Sequence, residues 1–309
     1  MLRKVARIGP STLMISLPSR WVKEQGITKG TELVVSENKN ILTVKKEGCK
    51  EGPSQEIINI SSYNTSLAWY YLTAAYRRGV EEIIVHAPRQ TIVDPLQIKS
   101  VKTAEFIKSV VDDFIGMEII HQTKTQSTIR EISGLKEEEF EPILRRIFIS
   151  LNVMFEDMLD AVKKDDGSAL EEVYAHSDLP INKFVDYNIR MLSRMASASM
   201  TKYAVLIYLE EIGDSLKYLA KQLTTYSKRK KIQDVIMKLQ QLFLLAEKFY
   251  YTGAEEIFMQ FDEQKRALRR ILIAPRQGDE SYLYAMLNKV LGQSLLIIHA
   301  KLLQPKDAK

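Results

Sequence analysis

From Lys136 to the end of this 309-residue chain, apolar side chains recur every three or four positions, a period that places them on one face only if the backbone is α-helical. Ile143, Ile147, Leu151, Met154 and Met158 form one such stripe, and the pattern stops at Lys164-Asp165-Asp166-Gly167-Ser168. Further helices are expected over 169–176, 181–195, 201–226, 232–251, 254–273 and 282–303, separated near Pro180, Gly253 and Pro275-Arg276-Gln277-Gly278. Helices connected this closely predict up-and-down bundles arranged as two consecutive groups of three.

Upstream the period changes twice. Between residues 55 and 133 strand and helix patterns alternate: strand 56–60, helix 64–78 closed by Gly79, strand 82–86, helix 98–115 closed by Gly116, then strands 117–122 and 127–132. This βαβαββ order predicts a small α/β layer, set off by Glu51-Gly52-Pro53-Ser54 before it and Gly134 after it. Residues 2–46 read as short strands over 2–7 and 13–17 around Gly9-Pro10-Ser11, one or two helical turns from Pro18 to Gly26, and a hairpin of 33–36 and 41–44 around Glu37-Asn38-Lys39-Asn40. So short a segment buries little alone, and a second copy is the simplest way to complete its core. The expected fold is therefore multidomain: a small all-β dimerising domain over 1–50, an α/β connector over 54–134 and an all-α domain over 136–309, divided at 228/229.

The net charge of +5 belongs to the first of these parts, because residues 1–49 hold nine basic and four acidic residues while the rest holds 35 of each. Arg3, Lys4, Arg7, Arg20, Lys23 and Lys29 face only Glu24 in the same stretch. Doubled by dimerisation, such a face would attract DNA phosphates through counterion release, although the composition alone equally describes a solvated basic surface. The single cysteine, Cys49, rules out an internal disulfide and fits a reducing, cytoplasmic setting. No apolar run is long enough for a transmembrane helix, and the charged start from Met1 to Arg7 is unlike a signal peptide. Phosphate-binding glycine loops, a nucleophile elbow and zinc spacings among His86, His121, His176 and His299 are all missing, so a role other than catalysis is expected. Lys228-Arg229-Lys230-Lys231 reads as a solvated helix junction.

In the helix expected over 201–226, Leu209-Glu210-Glu211-Ile212-Gly213-Asp214 places Glu210 and Asp214 one turn apart on one face, where they can share a cation. The same spacing is common on solvated helix faces.

Two longer patterns add family resemblances. Arg3-Lys4-Val5-Ala6-Arg7-Ile8-Gly9-Pro10-Ser11, then Ile15-Ser16-Leu17-Pro18 and Gly26-Ile27-Thr28-Lys29-Gly30-Thr31-Glu32-Leu33, resembles the AbrB/MazE/SpoVT swapped-hairpin domain over about residues 2–47, with one residue inserted before Pro18. That resemblance implies an intertwined homodimer presenting Arg3, Lys4, Arg7, Arg20 and Lys23 to DNA. Leu209-Glu210-Glu211-Ile212-Gly213-Asp214 followed by Leu219-Ala220 resembles the signature of the PhoU phosphate-signalling family, over residues 140–226. It implies three-helix repeats whose paired carboxylates bind metal, here Glu210 and Asp214 with Asp178 and Asn182 as the counterpart pair. The implied cofactor is a divalent metal ion or an iron or zinc cluster in the first repeat. In the second repeat Lys289-Val290-Leu291-Gly292-Gln293 stands where the signature should recur, keeping Gly292 for close helix packing and losing both ligands.

The combination resembles archaeal regulators of phosphate uptake. The expected function is a DNA-binding transcriptional regulator with a helical sensor; the alternative is an adaptor docking on a phosphate transporter or sensor kinase, its N-terminal part serving only to dimerise.

Overall fold

The computed structural model describes residues 2–10, 12–38, 41–46, 54–195 and 199–304. The chain divides into two compact units, Met1–Pro53 and Ser54–Lys309. Ser11 of the N-terminal motif, the expected turn residues Lys39 and Asn40, Cys49 and the linker residues Glu51 to Pro53 lie outside the described residues.

In the N-terminal unit, β1 (Ala6–Ile8) pairs antiparallel with β2 (Thr12–Met14), so the strands are shorter than the apolar runs around them. Gly9, at a φ of 73° that favours glycine, starts the reversal between them. Helix α1 (Ser19–Glu24) follows Pro18, and Gly26 stops it at a φ of 56°, with Ile27 N–H bonded back to the Val22 carbonyl at 2.9 Å. Strands β3 (Leu33–Asn38) and β4 (Ile41–Lys46) form the expected hairpin, pairing from Leu33 opposite Lys46 to Asn38 opposite Ile41.

The second unit begins with an α/β layer: β5 (Gln55–Asn59), α2 (Thr65–Arg77), β6 (Glu82–His86), β7 (Thr91–Asp94), β8 (Lys99–Lys102), α3 (Thr103–Val111), β9 (Met117–Gln122) and β10 (Gln126–Glu131). The sheet order is β5-β6-β10-β9, with β5 parallel to β6 through the α2 crossover and β10 antiparallel to both its neighbours. Asn64 caps α2, accepting the Leu67 N–H at 2.9 Å, and the helix buries Ala68, Leu72, Ala75 and Tyr76. The expected helix over 98–115 is corrected: 99–102 is a strand paired with 91–94 in a separate hairpin, and the helix begins only at Thr103. Ile98 explains the difference, since its φ of 50° lies outside any right-handed helix.

The helical part comprises α4 (Phe140–Lys164), α5 (Gly167–His176), α6 (Leu179–Arg194), α7 (Met200–Thr225), α8 (Gln233–Thr252), α9 (Glu255–Leu272) and α10 (Asp279–Leu302). The stripe on α4 is buried at Ile147, Leu151, Met154 and Met158 and partly buried at Ile143, and α4 packs on α5, α6, α7 and α8. Helix α10 packs on both α7 and α8, so one continuous hydrophobic core runs through all of these helices and into the α/β layer. The chain is thus a small β region followed by a largely helical region, and among the described residues no helix is long and apolar enough to cross a membrane.

Two sequence expectations change here, at Arg229 and at Gly292. Gly134 lies between two layers of one compact unit, in which α2 and α6 are joined by Arg190. This fully buried guanidinium donates to the carbonyl oxygens of Tyr76 and Val80, both at 2.9 Å, and to Glu131 Oε2 at 3.0 Å. It thereby adds a second donor to the Tyr76 carbonyl, which also accepts the Gly79 N–H at 2.9 Å, and satisfies the Val80 carbonyl just beyond α2. Arg229 is not solvated either: its Nε reaches the Leu223 carbonyl at 2.6 Å and Nη1 the Asp165 carboxylate at 2.7 Å, tying the end of α7 to the end of α4. Finally, Gly292 does not serve close packing, since a Cβ there would meet nothing within 4 Å, whereas one on Gly213 would lie 3.4 Å from Ile181 Cδ1.

Candidate functional site

The basic residues expected to meet DNA all sit on exposed positions of the N-terminal unit. Arg7 is the middle residue of β1 and donates to the Pro10 carbonyl, which holds its guanidinium beside the β1–β2 turn. Arg20, on the first turn of α1, bonds Glu24 Oε1 at 2.7 Å, an exposed pair of little energetic weight. Arg3, Lys4, Lys23 and Lys29 are exposed and make no ion pair among the described residues. No described residue of this unit is buried, and Leu2, Val5, Leu13, Ile15, Val35 and Leu42 are each at least half exposed.

The acidic constellation lies between α6 and α7, against the end of α2. Asp178 immediately precedes α6 and is buried; its Oδ2 takes Lys217 Nζ from α7 at 2.7 Å and the Asn182 amide at 3.4 Å. Glu210 does not turn to Asp214. Its Oε1 accepts Arg77 Nη2 at 3.0 Å, and the same guanidinium pairs with the buried carboxylate of Asp186 on α6. Two cations of the chain itself, Arg77 and Lys217, therefore neutralise much of the charge that a metal would meet. Buried oxygens nevertheless remain without a partner: Oδ1 of Asp178 and Oδ1 of Asn182.

The electrostatics follow from burial. Burial raises the Asp186 carboxyl to about 6 even though Arg77 pulls it down. Asp214 is raised as well, by burial first and then by the nearby Glu210 and Asp178 carboxylates. Lys217 moves the other way from what burial alone would do: its hydrogen bond and charge pairing with Asp178 outweigh desolvation and hold the ammonium above its ordinary value.

The four sequence-derived candidates lie at the start of α6 and along α7, but they do not act as a set of four. Among the described residues no three of His, Cys, Asp and Glu are grouped to hold a metal ion. The donor set that remains is Asp178 Oδ1, Asn182 Oδ1 and the Asp214 carboxylate, suited at most to a single oxygen-preferring cation competing with Lys217. Asp186 and Lys217 were missed, although both signals were in the sequence: Asp186 is four residues beyond Asn182, and Lys217 three beyond Asp214. Arg77 comes from the α/β layer, more than a hundred residues earlier, and only folding brings it here. On the other side of α7, Glu211 pairs with Lys289 of α10 at 2.7 Å and accepts the Gln293 amide at 3.3 Å, so the residues that replace the second repeat's expected ligands cross-link α7 and α10.

Comparison with known protein families, with curated protein sequences and with solved structures finds no match for this chain.

Proposed function

We propose that this chain is a homodimeric, DNA-binding transcriptional regulator of phosphate uptake, in which the N-terminal unit holds DNA and the helical region acts as sensor and interaction domain. The observation that carries the reading is that the N-terminal unit exposes apolar residues together with Arg3, Lys4 and Lys23, which make no ion pair among the described residues. Pairing with a second copy would cover the apolar residues and double the basic ones, giving a protein whose positive charge is concentrated on one dimeric face. The division of the helical part into two three-helix repeats belongs to the same proposal, supported by the Glu210–Asp214 signature and its altered counterpart at Lys289 and Gln293. Within that part, a divalent cation would bind through Asp178, Asn182 and Asp214, weakly, because Asn brings no charge and Lys217 competes.

The test is DNA binding by the full chain at two salt concentrations, on DNA recovered by mapping bound sites in cells grown at high and low phosphate. Arg3→Ala and Arg7→Ala should each weaken binding and lower the salt slope by about one. Unchanged affinity and slope in both variants would remove Arg3 and Arg7 from the DNA face, whereas no binding of DNA by the wild type, with co-purification of transporter subunits, would leave the adaptor role.

A further inference from the structure

One cavity of the α/β layer takes no part in either constellation. It has a volume of about 550 Å³ and three walls: the exit of β6 at Ala87, Arg89 and Gln90, the start of α3 from Lys102 to Ile107, and the β9–β10 turn from Gln122 to Ser127. The walls are strapped together by hydrogen bonds. Ala87 N–H donates to the Thr125 carbonyl at 2.8 Å, Thr103 N–H to the Gln90 carbonyl at 2.9 Å, and Thr103 Oγ1 to the Arg89 carbonyl at 2.8 Å. The turn itself is closed by Gln126 N–H on Thr123 Oγ1 at 3.0 Å.

The charge of this cavity is one-sided. Arg89, Lys102 and Lys124 line it, and no acidic side chain does. Lys102 is held by Glu105 at 2.7 Å, whereas Arg89 and Lys124 have no ion pair among the described residues. Its apolar surface comes from Ala87, Ala104 and Ile107, of which Ala87 and Ile107 belong to the buried core. A second cavity of similar size, about 540 Å³, carries Asp94 and Glu105 among Trp69, Tyr70 and Phe106, so it would repel the ligand that the first attracts.

We propose that the basic cavity binds a phosphate-bearing small molecule, its anionic group held by Arg89 and Lys124 and its remaining part seated against Ala87, Ala104 and Ile107. A guanidinium presents paired donors that match phosphate oxygens, and an ammonium adds a point charge. The volume is that of a small-molecule site and leaves room beyond a bare phosphate ion. The inference rests on the regulatory reading only for its meaning as a signal; the binding is measured without DNA, so either can fail while the other stands.

The experiment is isothermal titration calorimetry of the full chain with ADP, inorganic phosphate and adenosine at fixed ionic strength. The proteins are the wild type, Arg89→Ala, Lys124→Ala and the double variant, with circular dichroism confirming that each is folded. The expected result is saturable binding of ADP, phosphate or both at one site per chain, weakened at least tenfold in the double variant, with no binding of adenosine. ADP tighter than phosphate assigns the site to an organic phosphate; equal affinities assign it to the free ion. Two outcomes overturn the proposal: no saturable binding of either anion by the wild type, or equal binding by the double variant.

Discussion

Arg77 Nη2 lies 3.0 Å from Glu210 Oε1, so a cation from the α/β layer occupies the carboxylate that the helical signature pairs with Asp214. The same guanidinium holds Asp186, whose side chain is only 9% exposed. Replacing it leaves two carboxylates facing each other across α6 and α7. Arg77→Gln should cost about 3 kcal/mol in urea unfolding, the range for breaking a partly buried pair. A loss below about 0.5 kcal/mol would show that the pair has no structural weight.

Lys217 is the competitor for any cation at the acidic constellation. Lys217→Gln removes the ammonium from Asp178 and exposes Oδ2 beside the already unpartnered Oδ1. Manganese affinity, followed by calorimetry, should rise at least tenfold over wild type, and Asp214→Asn in the same background should abolish the gain. If manganese binds neither variant, the constellation is a structural ion-pair network and the metal reading ends.

The raised Asp186 carboxyl has a defined pH consequence. It titrates near 6 in the folded chain against 3.8 ordinarily, so between these values the folded state holds a proton that the unfolded state has lost. Stability from this group is therefore present at acid pH and lost as pH rises through about 6. Asp214, also raised, acts in the same direction. Asp186→Asn should gain stability relative to wild type as pH goes from about 4 to about 7. Parallel unfolding curves for the two proteins across that window would contradict the assignment.

Arg190 joins the two layers through the α2 C-terminus, and its Nη2 also neutralises Glu131, whose side chain is 10% exposed. Truncation would leave the Val80 carbonyl without its donor and remove one of the two guanidiniums on Glu131, Arg194 supplying the other. Arg190→Met should destabilise by about 3–5 kcal/mol, and Glu131→Gln in that background should recover part of the loss. Additive losses would place the weight on packing against the Tyr76 ring, which the guanidinium covers at 4.9 Å.

Gly292 is the counter-case. It lies inside α10 with open space where a Cβ would stand. Gly292→Ala should therefore stabilise the chain by about 0.5–1 kcal/mol through helix propensity alone. Destabilisation in thermal melts would reinstate a packing role.

The helices of the C-terminal part were legible because each carries its own period and its own stops, and these are local properties. The hairpin at 91–102 was not: its second strand merges with the apolar pattern of α3, and only the pairing of Thr91 with Lys102 and the left-handed Ile98 separate them. Asp178 and Asn182 could be named only from the family resemblance, and Glu210 and Asp214 from helical spacing, which puts side chains on a common face without saying what that face meets. Arg77 and Arg190 decide that, and both act across more than a hundred residues of sequence. The sequence by itself determined where the positive charge lies, the helical period of the larger part and the one-turn spacing of Glu210 and Asp214. Tertiary structure alone decided that the acidic constellation brings its own cations and that Arg89 and Lys124 share one cavity, because a charge's partner is set by distance in the folded chain, which no spacing along the sequence encodes.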